Sequence, residues 1–539
     1  EINFNPSSKK EGAFEPICFV GLNGSGKSNL LEFLSEVFYY LETYQKSDKK
    51  HLNDFKNYFC FEIEYFLPQI AFKNSRKIWD ELSFVWERYA HDPFIRIIKN
   101  QTEYPIISAI FKDKEIMLSE KEYDFIDSIL PKRVIAYSSG MNELISNPFI
   151  KIDFDYLQDF KKILQSPLEM NRLFFMNYDS NNLITICNFL FDSKDFEFTD
   201  FTSGGTTASD LGGINLEPLK KELGINDLKS FSINIKNIKL KDDNSLDLPS
   251  ELVLAIEKLK RCATFYDETT ITRKKEKYNE YKFYFWVNKA TKEAFRDTFN
   301  HPFILYRQLY FLKLLNLNLI SNDLQKRIKS LDISANLSDI LPKHEAEKLA
   351  FSINDLKFIK SGKEVTYKQL SDGEHQLLQV IGTLLLMDTE GTLFILDEPE
   401  THLNPEWRAK FVSLLNESVT NSSREQDIIL TSHSPFIVSD CKRERVFIFE
   451  KGQDPYNPKI NTSGTSVSIL TEEIFGKTET ISELSIIEIE RLRKLPLNTL
   501  EDIQIAKEKS RILGESPEKV LLFRELILKE NEIKNAQKL

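Results

Sequence analysis

The sequence has 539 residues, 41% hydrophobic and 28% charged, with 71 basic against 82 acidic side chains and a formal net charge of −11. At ~150 residues per domain this predicts three to four domains, and it excludes a collagen-like, mucin-like or mostly disordered chain. A wholly basic nucleic-acid coat is excluded too, although a local basic groove stays open. Five scattered cysteines (Cys18, Cys60, Cys187, Cys262, Cys441) include no C-x-x-C pair. Neither a disulfide framework nor a zinc knuckle is therefore expected, and a reducing cytoplasmic location fits. No apolar run reaches the ~18 residues of a spanning helix, so no membrane partner is expected. The sequence opens on Glu1 without a signal peptide, so its native start is expected upstream.

Glycine is scarce at 18 residues, which makes the three between positions 21 and 26 informative. Ile17–Val20 reads as a buried strand entering GLNGSGKS, residues 21 to 28, and Leu30, Leu34, Val37 and Leu41 give the following segment one apolar helical face. This is G-x-x-x-x-G-K-S between a strand and a helix. Glycines let the backbone approach a phosphate, the loop amides and helix dipole face the anion, the lysine reaches the β- and γ-phosphates, and the serine hydroxyl reaches Mg²⁺. The expected nucleotide-binding residues are Asn23, Gly24, Ser25, Gly26, Lys27, Ser28 and Asn29.

Tyr58–Leu67, Ile106–Phe111 and Val134–Tyr137 read as strands of a β-rich lobe. From about residue 146 to 340 the pattern turns mainly helical, with long helices expected over Asp155–Phe175 and Pro302–Leu331. Asp153-Phe154-Asp155 reads as an acidic helix N-terminus. Ser203–Gly213 is the expected loop or linker. Tyr281–Val287 is an aromatic strand beside the basic run Arg273–Lys277, which is either a solvated hairpin edge or a nucleic-acid contact.

Near residue 350 the α/β pattern returns. Leu393–Leu396 is an apolar run ending in Asp397 and Glu398, which delivers two carboxylates to the end of a buried strand. Asp397 is assigned to the Mg²⁺ shell and Glu398 to the attacking water. Ser371-Asp372-Gly373-Glu374 precedes the helical stretch His375–Met387 and reads either as a simple N-cap or as an anion-facing helix start. His433 follows the strand Ile428–Leu430 and is placed to sense a γ-phosphate, or else caps backbone. Val446–Phe449 is a further buried strand. Residues 400 to 405 form a turn at Asn404-Pro405. The last ~70 residues read as short helices divided by Pro496 and Gly514, the final one N-capped by Ser516 with Pro517 at N1.

Taken in this order, the motifs resemble the ABC-type ATPase head of the SMC, RecF and OLD families. FVGLNGSGKSNLLE, VIAYSSGMNEL, LSDGEHQLLQVIGTLLL and LDEPETHLNPEWR resemble more closely the ATPase subunits of Septu and retron-associated antiphage defence systems. The resemblance implies an α/β fold: a mainly parallel sheet with a phosphate loop and a β-rich lobe, a large mainly helical insertion, and a C-terminal helical appendage. It divides the chain at 1–145, 146–344, 345–455 and 456–539. It implies an ATPase using ATP and Mg²⁺, with Ser28 and Asp397 as metal ligands and Glu398 and His433 as catalytic residues. Ser371, Asp372, Gly373 and Glu374 become a signature acting on the opposite subunit's nucleotide, with Asp372 standing where the family has glycine. Residues 400 to 405 become the D-loop. The Q-loop glutamine has no match, and Tyr137-Ser138-Ser139-Gly140 lies about where that segment would fall.

The implied partners are a second copy through the ATPase heads, or a higher oligomer, and an HNH nuclease subunit. A reverse transcriptase with its msDNA, and nucleic acid itself, are further candidates. No HNH or TOPRIM spacing is found in the chain, so no nuclease centre is expected in it. A RecF-like ATPase that clamps DNA directly is the alternative.

Overall fold

A computed structural model describes residues 2, 15–46, 60–66, 94–100, 105–111, 114–118, 126–139, 143–162, 170–195, 213–329, 337–342, 345–387, 391–420, 426–476 and 481–536. At its centre is a six-stranded, wholly parallel sheet in the order β15-β1-β14-β13-β6-β7. Its strands are β1 (Ile17–Gly21), β6 (Arg133–Ser138), β7 (Leu173–Phe175), β13 (Thr392–Asp397), β14 (Gln426–Ser432) and β15 (Val446–Phe449). Each is a near-continuous apolar run because both faces are covered. Cys18, Val20, Leu396 and Leu430 pack on one side. Ile17, Phe19, Ile395 and Ile429 pack on the other. Phe19 is fully buried, with ring centroids 6.1 Å from Phe447 and 5.1 Å from Phe449. The ends of β1, β13 and β14 thereby come level: Val20 pairs with Ser432, and Asp397 with Thr431.

The β-rich lobe is an antiparallel sheet of β2 (Phe61–Phe66), β3 (Phe94–Lys99), β4 (Ile106–Phe111) and β5 (Lys114–Leu118). A third, antiparallel sheet runs β12-β11-β8-β10-β9. It is built from β8 (Ile225–Lys239), β9 (Phe265–Arg273), β10 (Glu276–Trp286), β11 (Phe351–Lys360) and β12 (Lys363–Thr366).

This third sheet crosses one of the expected divisions. Residues 146–344 supply three of its strands, and β11, from beyond residue 345, pairs along β8. A division at 345 therefore passes through a hydrogen-bonded sheet. The signal is a period of two: Phe231, Ile233 and Ile235 are buried and alternate with Ser230, Ser232 and Asn234.

The two long helices are corrected as well. The first runs Asn147–Lys162, and Leu173–Phe175 is the strand β7 beside β6. Three consecutive apolar residues suit an edge position covered on both sides better than one helical stripe. The second helix spans Pro302–Leu314, tightens to a 3₁₀ segment over Leu315–Leu319, and restarts at Asn322–Lys329. Asn316 explains the break: its side-chain amide donates to the Phe351 carbonyl at 2.9 Å and accepts from the Phe351 N–H at 2.8 Å. Asp153 is no helix N-terminus. It lies within Asn147–Lys162, partly buried, and its carboxylate accepts from the Tyr310 hydroxyl. Burial pushes its carboxyl up to about 6. Ser203 to 212 of the expected linker lie outside the described residues, as does Gly140.

Beyond β15, helices Val467–Glu473, Glu483–Arg493, Leu500–Ser510 and Pro517–Ala536 form the appendage. The Ser516 hydroxyl accepts from the Lys519 N–H at 3.1 Å, as its N-cap position requires. The last three helices close a small core of their own around Ile489, Leu492, Ile503, Leu522 and Leu526. On the last helix, Leu526 enters that core while Val520 and Ile527 remain exposed.

Gly21 ends β1 at φ +146°, where a Cβ would lie 2.3 Å from the Phe449 carbonyl oxygen. Only glycine lets β1 and β15 stay paired as the chain enters the loop. Gly21→Ala is expected to destabilise the protein by at least about 2 kcal/mol, read as a lower urea midpoint. An unchanged midpoint would mean that the β1–β15 contact yields without cost.

Candidate nucleotide site

The site forms at the C-terminal ends of the parallel strands, where open α/β sheets bind ligands. Gly21 leads into residues 22–26, and the helix Lys27–Lys46 begins at once. Gly24 and Gly26 have φ of +75° and +101°. Lys27 is only 4% exposed, and its ammonium donates to the carbonyls of Gly21 at 3.1 Å and Leu22 at 3.2 Å. Burial lowers its pKa, against the opposing pull of Glu398 and Asp397. Ser25 Oγ is buried, and no hydrogen bond to it is found among the described residues. Asn23, Gly24 and Asn29 sit on the exposed rim.

The Asp397 carboxylate is the point of convergence. Its Oδ1 accepts from the Ser28 hydroxyl at 2.9 Å and from the Thr431 hydroxyl at 2.7 Å, while Ser138 Oγ lies 3.4 Å from Oδ2. Ser28 begins the helix after β1, Thr431 is on β14, and Ser138 ends β6, so one side chain joins the phosphate loop to three neighbouring strands. A serine hydroxyl beside one carboxylate is a donor set that suits Mg²⁺, which binds few protein oxygens and completes its shell with phosphate and water. The loop amides, the Ser25 hydroxyl and the Lys27 ammonium likewise suit a polyphosphate.

Glu398 follows on a backbone with φ +48°, a left-handed conformation unfavourable for a side chain of this kind. Two hydrogen bonds flank it: its N–H donates to Thr431 Oγ1 at 3.0 Å, and its carbonyl accepts from Thr401 Oγ1 at 3.0 Å. Its carboxylate lies 3.1 Å from His433 Nε2. That hydrogen bond holds the Glu398 carboxyl below the usual glutamate range, so it stays ionised at neutral pH.

The structure thus gathers Lys27, Ser28, Asp397, Glu398 and His433 in one site. It adds residues the sequence reading had not assigned. Thr431 braces both Asp397 and Glu398, and the hydroxyl run after an apolar strand was its only signal. Glu400 is buried and accepts from the Ser432 hydroxyl, with its other oxygen unpaired among the described residues; burial pushes its carboxyl up to about 7. Ser139 donates its N–H to the Asp397 carbonyl at 3.1 Å and its hydroxyl to Thr401 at 3.0 Å, so the segment after β6 borders the site.

The segment 371–374 is not brought to residues 21–28 within the chain: no hydrogen bond joins them among the described residues. Ser371 caps the helix Asp372–Leu386, and Glu374 Oε2 accepts from the Ser371 N–H at 2.7 Å, a capping box. Lys360 pairs with the other oxygen of Glu374, so that carboxylate is committed locally. Ser371 and Asp372 are exposed. Gly373 is buried, and a Cβ there would lie 2.8 Å from the His402 carbonyl and 3.2 Å from the Trp407 ring. The His402 N–H donates to Gln376 Oε1 at 3.0 Å, and the Gln376 amide donates to the Tyr137 hydroxyl at 3.0 Å. The helix start is therefore fitted to the turn after Glu398.

Comparison with known proteins finds a family match and several relatives, each over part of the chain. Residues 261–439 match the family described as AAA domain, putative AbiEii toxin, Type IV TA system. That interval holds the capping segment, Asp397, Glu398 and His433, and the phosphate loop lies outside it. The chain is 28% identical to protein ea59 of Escherichia phage lambda over 23% of its length and 24% of the relative's. It is 26% identical to the Septu protein PtuA of Bacillus thuringiensis over 26% of this chain and 39% of that protein. It is 27% identical to the retron Ec83 probable ATPase of Escherichia coli over 25% of this chain and 26% of that protein. The chain thus spans between a quarter and two fifths of the curated relatives it matches. The fold is mixed α/β, residues 261–439 are similar to that AAA domain family, and about a quarter of the chain is similar at modest identity to a Septu protein and to a retron probable ATPase.

Proposed function

We propose that the chain binds ATP with Mg²⁺ and hydrolyses it, and that it does so as the ATPase subunit of an antiphage defence complex. The observation that carries the reading is the Ser28–Asp397 hydrogen bond of 2.9 Å beside the Glu398–His433 pair of 3.1 Å. In it, Lys27 exchanges its loop carbonyls for the β- and γ-phosphates, and residues 23–29 cradle the polyphosphate. Ser28 and Asp397 hold Mg²⁺, which supplies charge neutralisation at the phosphates when bound. Glu398 orients and deprotonates the attacking water, and His433 fixes the Glu398 carboxylate and reports the γ-phosphate.

Two copies associate through their heads, with the exposed Ser371 and the helix start behind it reaching the other copy's nucleotide. Hydrolysis removes that bridge and lets the heads part, a known use of γ-phosphate contacts. The similarity to the Septu protein PtuA and to a retron ATPase supports a defence role. We assign the nuclease step to a separate HNH subunit gated by head geometry. Among the described residues no cluster of three or more His, Cys, Asp or Glu is placed to hold a metal ion. Within this reading, residues 1–145 and 345–455 make the head, with 456–539 as appendage.

Titration calorimetry with a non-hydrolysable ATP analogue tests the binding step. Lys27→Ala should weaken binding at least about tenfold. Equal affinity would remove the phosphate-loop assignment.

Glu398→Gln should keep analogue binding while turnover falls by about 10²–10⁴-fold, and it should prolong head association in sedimentation. Wild-type turnover in this variant counts against the assigned base.

The purified chain alone, incubated with plasmid, single-stranded DNA or RNA and Mg²⁺ or Mn²⁺, should leave the nucleic acid intact with or without ATP. Cleavage that a carboxylate substitution outside the ATP site abolishes would place a nuclease in this chain.

A further inference from the structure

The third sheet ends on an open edge. β9 pairs with β10 on one side, and among the described residues nothing pairs with its other side. It is nine residues long, contains no proline, and runs against β10 without a register shift, and all of it except Ile271 is exposed. Edge strands are normally kept apart by being short, bulged, proline-bearing or charged. β9 has only the last of these features, and its charges are sorted along its length. Asp267 and Glu268 lie near its start, and Arg273, Lys274 and Lys275 lie at its end.

The hairpin geometry fixes which backbone groups are unpaired. Lys274 and Lys275 form a two-residue turn with φ of +48° and +72°, the signature of a type I′ turn. Arg273 and Glu276 close that turn as the hydrogen-bonded pair. The odd-numbered residues of β9 therefore bond to β10, and Tyr266, Glu268, Thr270 and Thr272 point their N–H and C=O groups outward. Such a turn favours Asn-Gly, so two lysines occupy it against backbone preference. Both are exposed, and among the described residues no hydrogen bond or ion pair of either side chain is found.

We infer that β9 pairs antiparallel with β9 of a second copy about a two-fold axis through Thr270, joining two five-stranded sheets into one of ten strands. In that register the one pair of ionised side chains within the strand is complementary and no like charges face each other. Asp267 faces Arg273, Glu268 faces Thr272, and Thr269 faces Ile271. Tyr266 and Phe265, 40% and 57% exposed, face Lys274 and Lys275, whose stems and ammonium groups suit aromatic rings. The outward groups of Tyr266, Glu268, Thr270 and Thr272 become the ladder. A slip of two residues toward the start of the strand sets Asp267 against Ile271 and loses that ion pair. Asp267, Glu268, Glu276 and Glu280 beside the basic turn oppose a phosphate backbone, which is why a second copy fits this edge better than nucleic acid does. The pairing needs no nucleotide and does not rest on the ATPase reading.

Sedimentation of the nucleotide-free chain from about 1 to 100 μM should show a reversible dimer, and Lys27→Ala should give the same curve. Thr272→Pro removes one outward donor and should raise the dissociation constant about tenfold or more. Asp267→Arg and Arg273→Asp should each weaken the dimer, and the double exchange should restore it. Because these two side chains are exposed, the exchange decides the matter even where Thr272→Pro fails to fold. A monomer at every concentration, a dimer lost in Lys27→Ala, or a dimer indifferent to Asp267→Arg and Arg273→Asp overturns the proposal. So does a Lys274→Glu/Lys275→Glu chain of unchanged mass that loses binding to a labelled duplex.

Discussion

One carboxylate at a strand end organises the candidate site. Asp397 Oδ1 accepts two hydroxyl hydrogen bonds, from Ser28 at the start of the helix after β1 and from Thr431 on β14. β14 lies between β1 and β13 in the sheet, so the Ser28–Asp397 bond reaches across a strand. Asp397 spans the gap through two side chains. Thr431 also receives the Glu398 N–H, so the same hydroxyl that braces the Asp397 carboxylate braces the left-handed residue after it. Charge-assisted bonds of this kind are roughly twice as strong as neutral ones. An altered Asp397 would therefore disturb the loop, the switch strand and the Glu398 backbone together.

A second constraint is steric. Gly373 gives the helix Asp372–Leu386 room to approach the His402 carbonyl, and Gln376 then bonds both the His402 N–H and Tyr137. Arg408 ties the same turn down through the carbonyls of Glu400 at 3.2 Å and Thr401 at 2.9 Å. The glycine of this motif thus has a role within the chain, whatever it contributes to a neighbour. A displacement of the turn after Glu398 is carried to the exposed Ser371 through a packed contact with no slack.

The parallel sheet and its motifs were legible because each strand is short, apolar on both faces and followed by the residue type its chemistry needs. Val446–Phe449 and Ile106–Phe111 coincide with the observed strands to the residue. The third sheet was less legible, since β8 and β11 are 111 residues apart at their nearest ends and only tertiary pairing reveals their partnership. The period of two at Phe231, Ile233 and Ile235 was there to be read, but the helices around it dominated the segment. The long helix over Pro302–Leu331 failed for a comparable reason. Its apolar pattern is helical throughout, and the break at Asn316 depends on a strand edge 35 positions away. In the site, the acids and the histidine stood out by type and position, whereas Thr431 and Gln376 act through neighbours and carry no local signature. Glu400 stood in plain view two residues after Glu398, yet only its burial shows that it faces inward.

The two proposed self-contacts use opposite parts of one chain and different physics. Head association depends on a nucleotide held between copies, so it is transient and set by hydrolysis. β9 pairing depends on backbone hydrogen bonds and sorted charge, so it persists through the cycle and weakens only with dilution or salt. Each contact is isologous, and each alone closes a dimer. Together they need not. Two different two-fold axes on one chain close into a ring of dimers only when the angle between them permits it, and otherwise they generate an open array. The β8–β12 sheet lies between the axes: β9 is its outer strand, and β12 leads through Tyr367–Gln369 to Ser371 and the helix Asp372–Leu386. Parting of the heads would thus be felt across five hydrogen-bonded strands at the persistent contact. In an assembly of this design the number of copies is set by the rigidity of that sheet, and the nucleotide sets which of its joints are closed.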